Sequence, residues 1–183
     1  MLSIKNKIWL LDEVVSTAFG SWHIYLAGHD KFSDWPEECR SQSAYRGYTT
    51  LRSLLCHSLM VACYALVDSS NKAYSLHHAV KDPDLIVTPM AVNKCENCLR
   101  LRSKIATYRN NVTAHVNNRR TQSEWAQFAN IKNGEIDAFL LSARAVVEEL
   151  GKVNLGTEFV PSSRMPFQRD FNEFCRVIID NKS

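Results

Sequence analysis

The octapeptide YRNNVTAH, residues 108–115, places an Arg, two Asn, a Thr and a His inside a segment whose apolar residues otherwise recur at helical spacing. A buried helix face would carry Leu and Ala there, and a solvated one Glu and Lys, because those residues form helix at least cost. The side chains present are instead ones that hold hydrogen bonds at fixed positions. An imidazole titrates near neutrality, so His115 can move a proton in either direction. Arg109 stays charged and offers a planar fork that matches two oxygens of one anion. Asn110 can orient such a group without adding charge. The stretch is either a site for an anionic ligand or a polar seam between packed helices.

Charge along the chain points to the first reading without settling it. The 183 residues carry a net charge of +3, too little to imply nucleic acid. Between Lys94 and Arg120, however, seven basic residues (Lys94, Arg100, Arg102, Lys104, Arg109, Arg119, Arg120) meet one acid, Glu96. That segment is +6 and the remainder −3. An anionic partner would favour such a face, and so would plain solvation of a helix.

Other chemistry-bearing residues are less suggestive. Cys95 and Cys98 form half of a four-thiolate zinc site with no second half in the sequence, so they are expected to pack one turn apart on a helix. His77 and His78 are adjacent and point roughly 100° apart on a helix, which prevents chelation as neighbours. No metal and no cofactor are expected. Asn111-Val112-Thr113 matches a glycosylation sequon, which is idle without export. His23, His29 and His57 read as surface or satisfied core histidines. Neither a Gly-rich phosphate loop nor a nucleophile elbow occurs.

The elements that must position these residues read as helices throughout. Ile4, Ile8, Leu11, Val15, Ala18, Trp22 and Leu26 form one apolar stripe, expected to end at Gly28. Asp34, with Pro36 and Glu37, resembles an N-cap for a second helix reaching Val67, bent or interrupted near Gly47, with Tyr48, Leu51, Leu55, Leu59, Ala62 and Leu66 inward. A short helix is expected from Lys72 to Val80, stopped by Asp82-Pro83-Asp84. A third long helix begins after Pro89, buries Cys98, Leu101, Ile105, Tyr108 and Val112, and runs through the octapeptide. Thr121 and Glu124 suggest a capping box before Trp125 and Phe128, with a bend or break at Asn133-Gly134. Ile136, Phe139, Leu140, Ala143, Val147 and Leu150 mark a fourth long helix, expected to end at Gly151. The fold class is all-α: an up-and-down bundle of four long helices with two or three short ones. Residues 1–152 form the bundle. Residues 153–183 form a tail whose Phe167, Phe171, Phe174 and Ile178 outline a short amphipathic helix that docks on the bundle or on a dimer.

The N-terminal MLSIKNKIWLLDEVV is too interrupted by charge to read as a signal peptide, and no uncharged run approaches the roughly 18 apolar residues of a membrane span. A cytoplasmic location, no membrane partner and six reduced thiols are expected. Cys56 and Cys63 read as small core residues.

The segment LRSKIATYRNNVTAHVN resembles the signature of the HEPN domain superfamily, especially its abortive-infection U-type branch. That signature is an Arg, a polar residue, then a His four to six positions further on, commonly within RN…AH. Here Asn110 to Ala114 separate Arg109 from His115. The likeness extends upstream through ALVDSSNKAYSLHHAV and covers about residues 40 to 152. The resemblance implies an up-and-down helical bundle that dimerises with its Arg–His segments facing one another. It also implies a metal-independent endoribonuclease, commonly a toxin or antiviral effector, with Arg109 and His115 as catalytic pair and Asn110 in support. Other members of the superfamily have lost catalysis and bind RNA, a nucleotide or a protein partner.

The residue inventory suits that chemistry. Cutting RNA without metal requires activating a 2′-hydroxyl, stabilising a crowded anionic phosphorus centre and protonating the departing 5′-oxygen. His and Arg supply these functions and would leave a 2′,3′-cyclic phosphate. Two-metal hydrolysis fits poorly, since the basic segment holds one carboxylate. Six residues of ideal helix leave Arg109 and His115 about 120° apart and roughly 9 Å along the axis. Either the helix unwinds near Asn117-Asn118 or a second copy completes the site by two-fold symmetry. A homodimer is therefore expected, with RNA contacts from Arg119, Arg120, Arg102, Tyr108, Asn111 and Asn117. A cognate antitoxin would be a further partner. Asn117 stands where related toxins carry a Tyr that accepts modification by a partner nucleotidyltransferase, and where the U-type branch often has an acid. Both habits are departed from here. Besides the enzyme, a non-catalytic binding module and a purely structural helical assembly protein remain open readings.

Overall fold

The computed structural model describes residues 2–32, 43–70, 73–110 and 130–162. Six α-helices occur there, and no strand is found among the described residues. They are α1 (Ile4–Phe32), α2 (Ser43–Val67), the single turn α3 (Leu76–Ala79), α4 (Pro89–Leu99), α5 (Arg102–Tyr108) and α6 (Asn133–Leu155), followed by a 3₁₀ turn at Gly156–Glu158. The all-α expectation holds. Helix α1 packs on α2 and α6, α4 packs on α6, and α5 lies against α2.

The apolar stripes supply the core. Ile8, Leu11, Val15, Ala18 and Trp22 of α1 are buried with Leu59, Ala62 and Leu66 of α2 and with the inward stripe of α6. Some stripe members lie outside it: Ile4 and Leu51 are exposed, and Leu55 is only half-buried. Tyr45–Val67 is long and apolar enough to cross a membrane by length and composition, yet its Leu59, Cys63, Leu66 and Val67 belong to this core.

Several helix ends differ from the sequence reading, each for a packing reason. Gly28 does not end α1; a Cβ there would sit 2.7 Å from Cε2 of Tyr48, so the glycine lets α2 approach. Gly47 interrupts nothing, and α2 passes through it. Gly151 does not end α6, which continues to Leu155; the ring of Phe159 occupies the space its side chain would need. The stop is Gly156, at φ +62. Asn133-Gly134 begins α6, with Glu135 accepting from the Lys132 backbone N–H at 2.8 Å; the helix it was expected to bend or break lies outside the described residues. The expected third long helix is two pieces. Cys95, Cys98 and Leu101 recur every three residues, faster than an α-helix turns, and an N–H of Leu101 bonded to the Cys98 carbonyl (3.2 Å) tightens the chain so that Leu101 reaches the core. The short helix expected from Lys72 is only Leu76–Ala79. The expected N-cap at Asp34 and the helix at Trp125 and Phe128 lie outside the described residues, as does the stripe of the tail.

Candidate functional site

Helix α5 ends on Tyr108, the first residue of the octapeptide. Its buried side is Ile105 and Tyr108, at 0% and 2% exposure, packed toward α2. The Tyr108 hydroxyl meets Sγ of Cys56 at 3.1 Å, and its ring lines a cavity of about 90 Å³ with Trp22, Tyr25, Met60 and Ile136. Burial pushes the Cys56 thiol up. Tyr108, expected to contact RNA, therefore faces the core and offers no ring to a ligand.

Immediately beyond, Arg109 and Asn110 adopt π-helical backbone, a widening frequent at functional positions. The Arg109 guanidinium lies over the ring of Tyr64 on α2, 4.9 Å from its centroid, and Nη1 donates to Oδ1 of Asn110 at 3.1 Å. Arg109 is half-buried and Asn110 exposed. Contact with the ring fixes where the guanidinium sits, and a guanidinium carries its N–H donors in a planar fork. Seven residues back, about two turns, Arg102 is exposed and donates from Nη2 to Oγ of Ser69, in the loop after α2. Lys104 is not available in the same way: its Nζ reaches Oε1 of Glu135 at 2.7 Å and the Asn130 carbonyl at 2.9 Å. This pair and the Lys132 backbone hold Glu135 below the ordinary carboxyl range. Of the sequence-derived site residues, Arg109 and Asn110 come together and Arg102 shares their helix. His115, Asn111, Asn117, Arg119 and Arg120 lie outside the described residues.

A second polar cluster adjoins Arg102. Buried Ser75 donates its hydroxyl to the Asp68 carbonyl at 2.5 Å and contacts Nδ1 of His78 at 2.9 Å. A serine has one hydroxyl proton, so Nδ1 of His78 must be the donor, and Nε2 carries the lone pair when the ring is neutral. Lys81 Nζ lies 3.2 Å from Nε2 of His77, which must likewise accept. Burial, then the charge of Lys81, lowers the His77 pKa. The Asp68 carboxyl sits below its usual range because the Ser70 N–H donates to it at 2.8 Å, with Arg102 and His78 adding positive charge. Sequence reading set His77 and His78 aside and passed over Tyr64 and Ser75. The only prior signal was the density of hydrogen-bonding residues from Asp68 to Ser75.

Cys95 and Cys98 pack one turn apart in the core of α4, as expected. Burial pushes Cys95 up to about 11 and Cys98 further still, the latter donating to the Phe139 carbonyl at 3.6 Å. Such thiols are poor nucleophiles. Cys63 is fully buried, as a small core residue should be, whereas Cys56 is half-buried against Tyr108. Cys56, Cys63, Cys95 and Cys98 are all free. His23 is half-buried, and burial lowers its pKa. Compared with protein-family models, curated proteins and solved structures, the chain matches none.

Proposed function

We propose that this chain is a cytoplasmic, homodimeric, metal-independent endoribonuclease of toxin or antiviral-defence type, HEPN-like in fold. Four long helices run up and down, and RNA is cleaved by 2′-hydroxyl transesterification between Arg109 and His115 of facing subunits. Arg119, Arg120, Arg102, Asn111 and Asn117 hold the RNA backbone, and a cognate antitoxin restrains the activity. The observation that carries this reading is the seat of Arg109. A half-buried guanidinium rests on an aromatic face, beside an exposed amide, where the helix widens. That is how a cation is pre-oriented for an anion. Contacts of Ser21 with Ser58 and of Gly28 with Tyr48 run in opposite senses along α1 and α2, which supports the up-and-down arrangement. The reading is tested by incubating the purified chain with RNA in EDTA beside His115→Ala. Loss of cleavage in the variant, with a 2′,3′-cyclic phosphate on the wild-type products, is the expected result. Intact RNA with the wild type ends the enzyme reading.

One alternative has an observation of its own. The described partners of Arg109, a ring face and an amide, suit binding as well as catalysis. A non-catalytic HEPN-like module that binds RNA, a nucleotide or a protein partner would use the same seat. It would show RNA affinity lost in Arg109→Ala and no cleavage by any form.

A further inference from the structure

Helix α5 carries a basic residue at each end. Arg102 and Arg109 are seven residues apart, about 10 Å along a helix. Both lie against the C-terminal end of α2, Arg109 over Tyr64 and Arg102 on Ser69, two residues past Val67. Next to Arg102 stand His77 and His78 of α3 and Lys81 in the turn that follows. Lys81 Nζ lies 3.2 Å from Nε2 of His77, and the two imidazoles meet edge to face with centroids 5.7 Å apart. Two cations from separate elements thus converge on one half-buried imidazole.

These cations are held without being neutralised. Among the described residues, Arg102 spends one of its five N–H donors on a neutral hydroxyl, and Lys81 one of its three on a neutral ring. Asp68, the carboxylate beside Arg102, already accepts at both oxygens from Ser70, through the N–H at 2.8 Å and the hydroxyl at 2.9 Å. Burial, then the charges of Lys81, His78 and Arg102, lower the His77 pKa. Like charges gathered in this way repel, and an anion set among them relieves the repulsion. The frame around them is rigid. Fully buried Ser75 bonds the Asp68 carbonyl at 2.5 Å and His78 at 2.9 Å, tying the α3 turn to the loop on which Arg102 rests.

We propose that Arg102, His77 and Lys81 form a second phosphate subsite, which takes a phosphodiester of the same RNA strand that Arg109 holds. The inference rests on the RNA reading of the Arg109 seat. Arg102 brings a planar fork for two phosphate oxygens and Lys81 a point charge. His77, whose Nε2 accepts from Lys81, carries its proton on Nδ1 as a further donor. A stacked strand bears one phosphate per about 3.4 Å of axis. The separation of the two arginines therefore corresponds to about three nucleotides.

The test titrates the full chain with a fluorescent 2′-O-methyl hexanucleotide, which cannot be cut because the attacking hydroxyl is blocked. Lys81→Ala should raise the Kd about threefold to tenfold. It should also reduce the slope of log Kd against log salt by about 0.7. Lys81→Arg should restore both. Arg46→Ala removes an equal charge from an exposed position about 30 Å away, at the other end of α2, and should alter neither. In the wild type, the His77 ring resonances should shift as the hexanucleotide binds. Equal losses in Lys81→Ala and Arg46→Ala, or His77 resonances that stay fixed, would overturn the subsite. So would a His77 that responds only to inorganic phosphate or only to hexaglutamate. A wild type that does not bind the hexanucleotide would also overturn it, whereas one that binds but never cleaves RNA would end the ribonuclease reading alone.

Discussion

The guanidinium of Arg109 lies over the ring of Tyr64, 4.9 Å from its centroid, so a residue late on α2 sets the place of the first residue past α5. Replacing the ring by an aliphatic side chain removes the orienting face and keeps the charge. Tyr64→Leu should weaken RNA affinity by about threefold to tenfold, the equivalent of a cation–π contact, while Tyr64→Phe changes it little. Fluorescence anisotropy with labelled RNA at fixed salt measures both.

Ser75 fixes the tautomer of His78. Nitrogen-15 NMR of the neutral ring should place the proton on Nδ1 and leave Nε2 bare, because the Ser75 hydroxyl is already spent on the Asp68 carbonyl. Ser75→Ala should abolish that preference and cost about 1–3 kcal/mol by denaturant unfolding, since the serine is fully buried and its partners lose their bonds.

Lys7 ties α1 to the loop before α4 through Asp82 at 2.8 Å and Asp84 at 2.9 Å. Burial would raise the Asp82 carboxyl, but the hydrogen bonds from Lys7 and Tyr74 prevail and hold it below 3.8. Hydrogen bonds to Asp82 and Asp84 hold Lys7 above 10.5. A depressed carboxyl contributes stability above its unfolded pKa and loses it as pH falls through the folded one. A raised amine contributes below its unfolded pKa and loses it as pH rises through the folded one. The stability difference between wild type and Lys7→Met should therefore be flat across mid-range pH. It should shrink as pH drops below 3.8 and again as it climbs above 10.5. Unfolding midpoints across that range check the shape.

Three glycines should respond in opposite directions. Gly151→Ala drives a methyl into the Phe159 ring and should destabilise by roughly 1–3 kcal/mol. Gly28→Ala, facing Tyr48, should destabilise similarly. Gly134, early in α6 with open space around it, should gain about 0.5–1 kcal/mol on replacement by Ala. Thermal unfolding orders the three variants.

Those glycines also show what was legible in the sequence. The 3.6-residue repeat placed the buried faces of α1, α4, α5 and α6 well, because burial follows period. Helix ends were read less well: Gly28 and Gly151 look like stop signals, but they serve partners distant in sequence. The tightening at Leu101 carries no glycine or proline to announce it. At the site, hydrogen-bonding character singled out Arg109 and Asn110. It misplaced Tyr108, whose position on the apolar stripe already assigned it to the core. Tyr64 and Ser75 owe their importance to tertiary neighbours, which no local spacing encodes.

The central claim is that the Arg of one subunit and the His of the other act on one phosphate, and mixed dimers test it most directly. Arg109→Ala and His115→Ala, each inactive alone, are unfolded together, refolded and assayed on RNA in EDTA. Sites shared across the two-fold axis restore one intact pair in each mixed dimer, so activity should return to about a quarter of wild type. A mixture as inactive as its parents, formed under conditions where subunits exchange, would contradict the account.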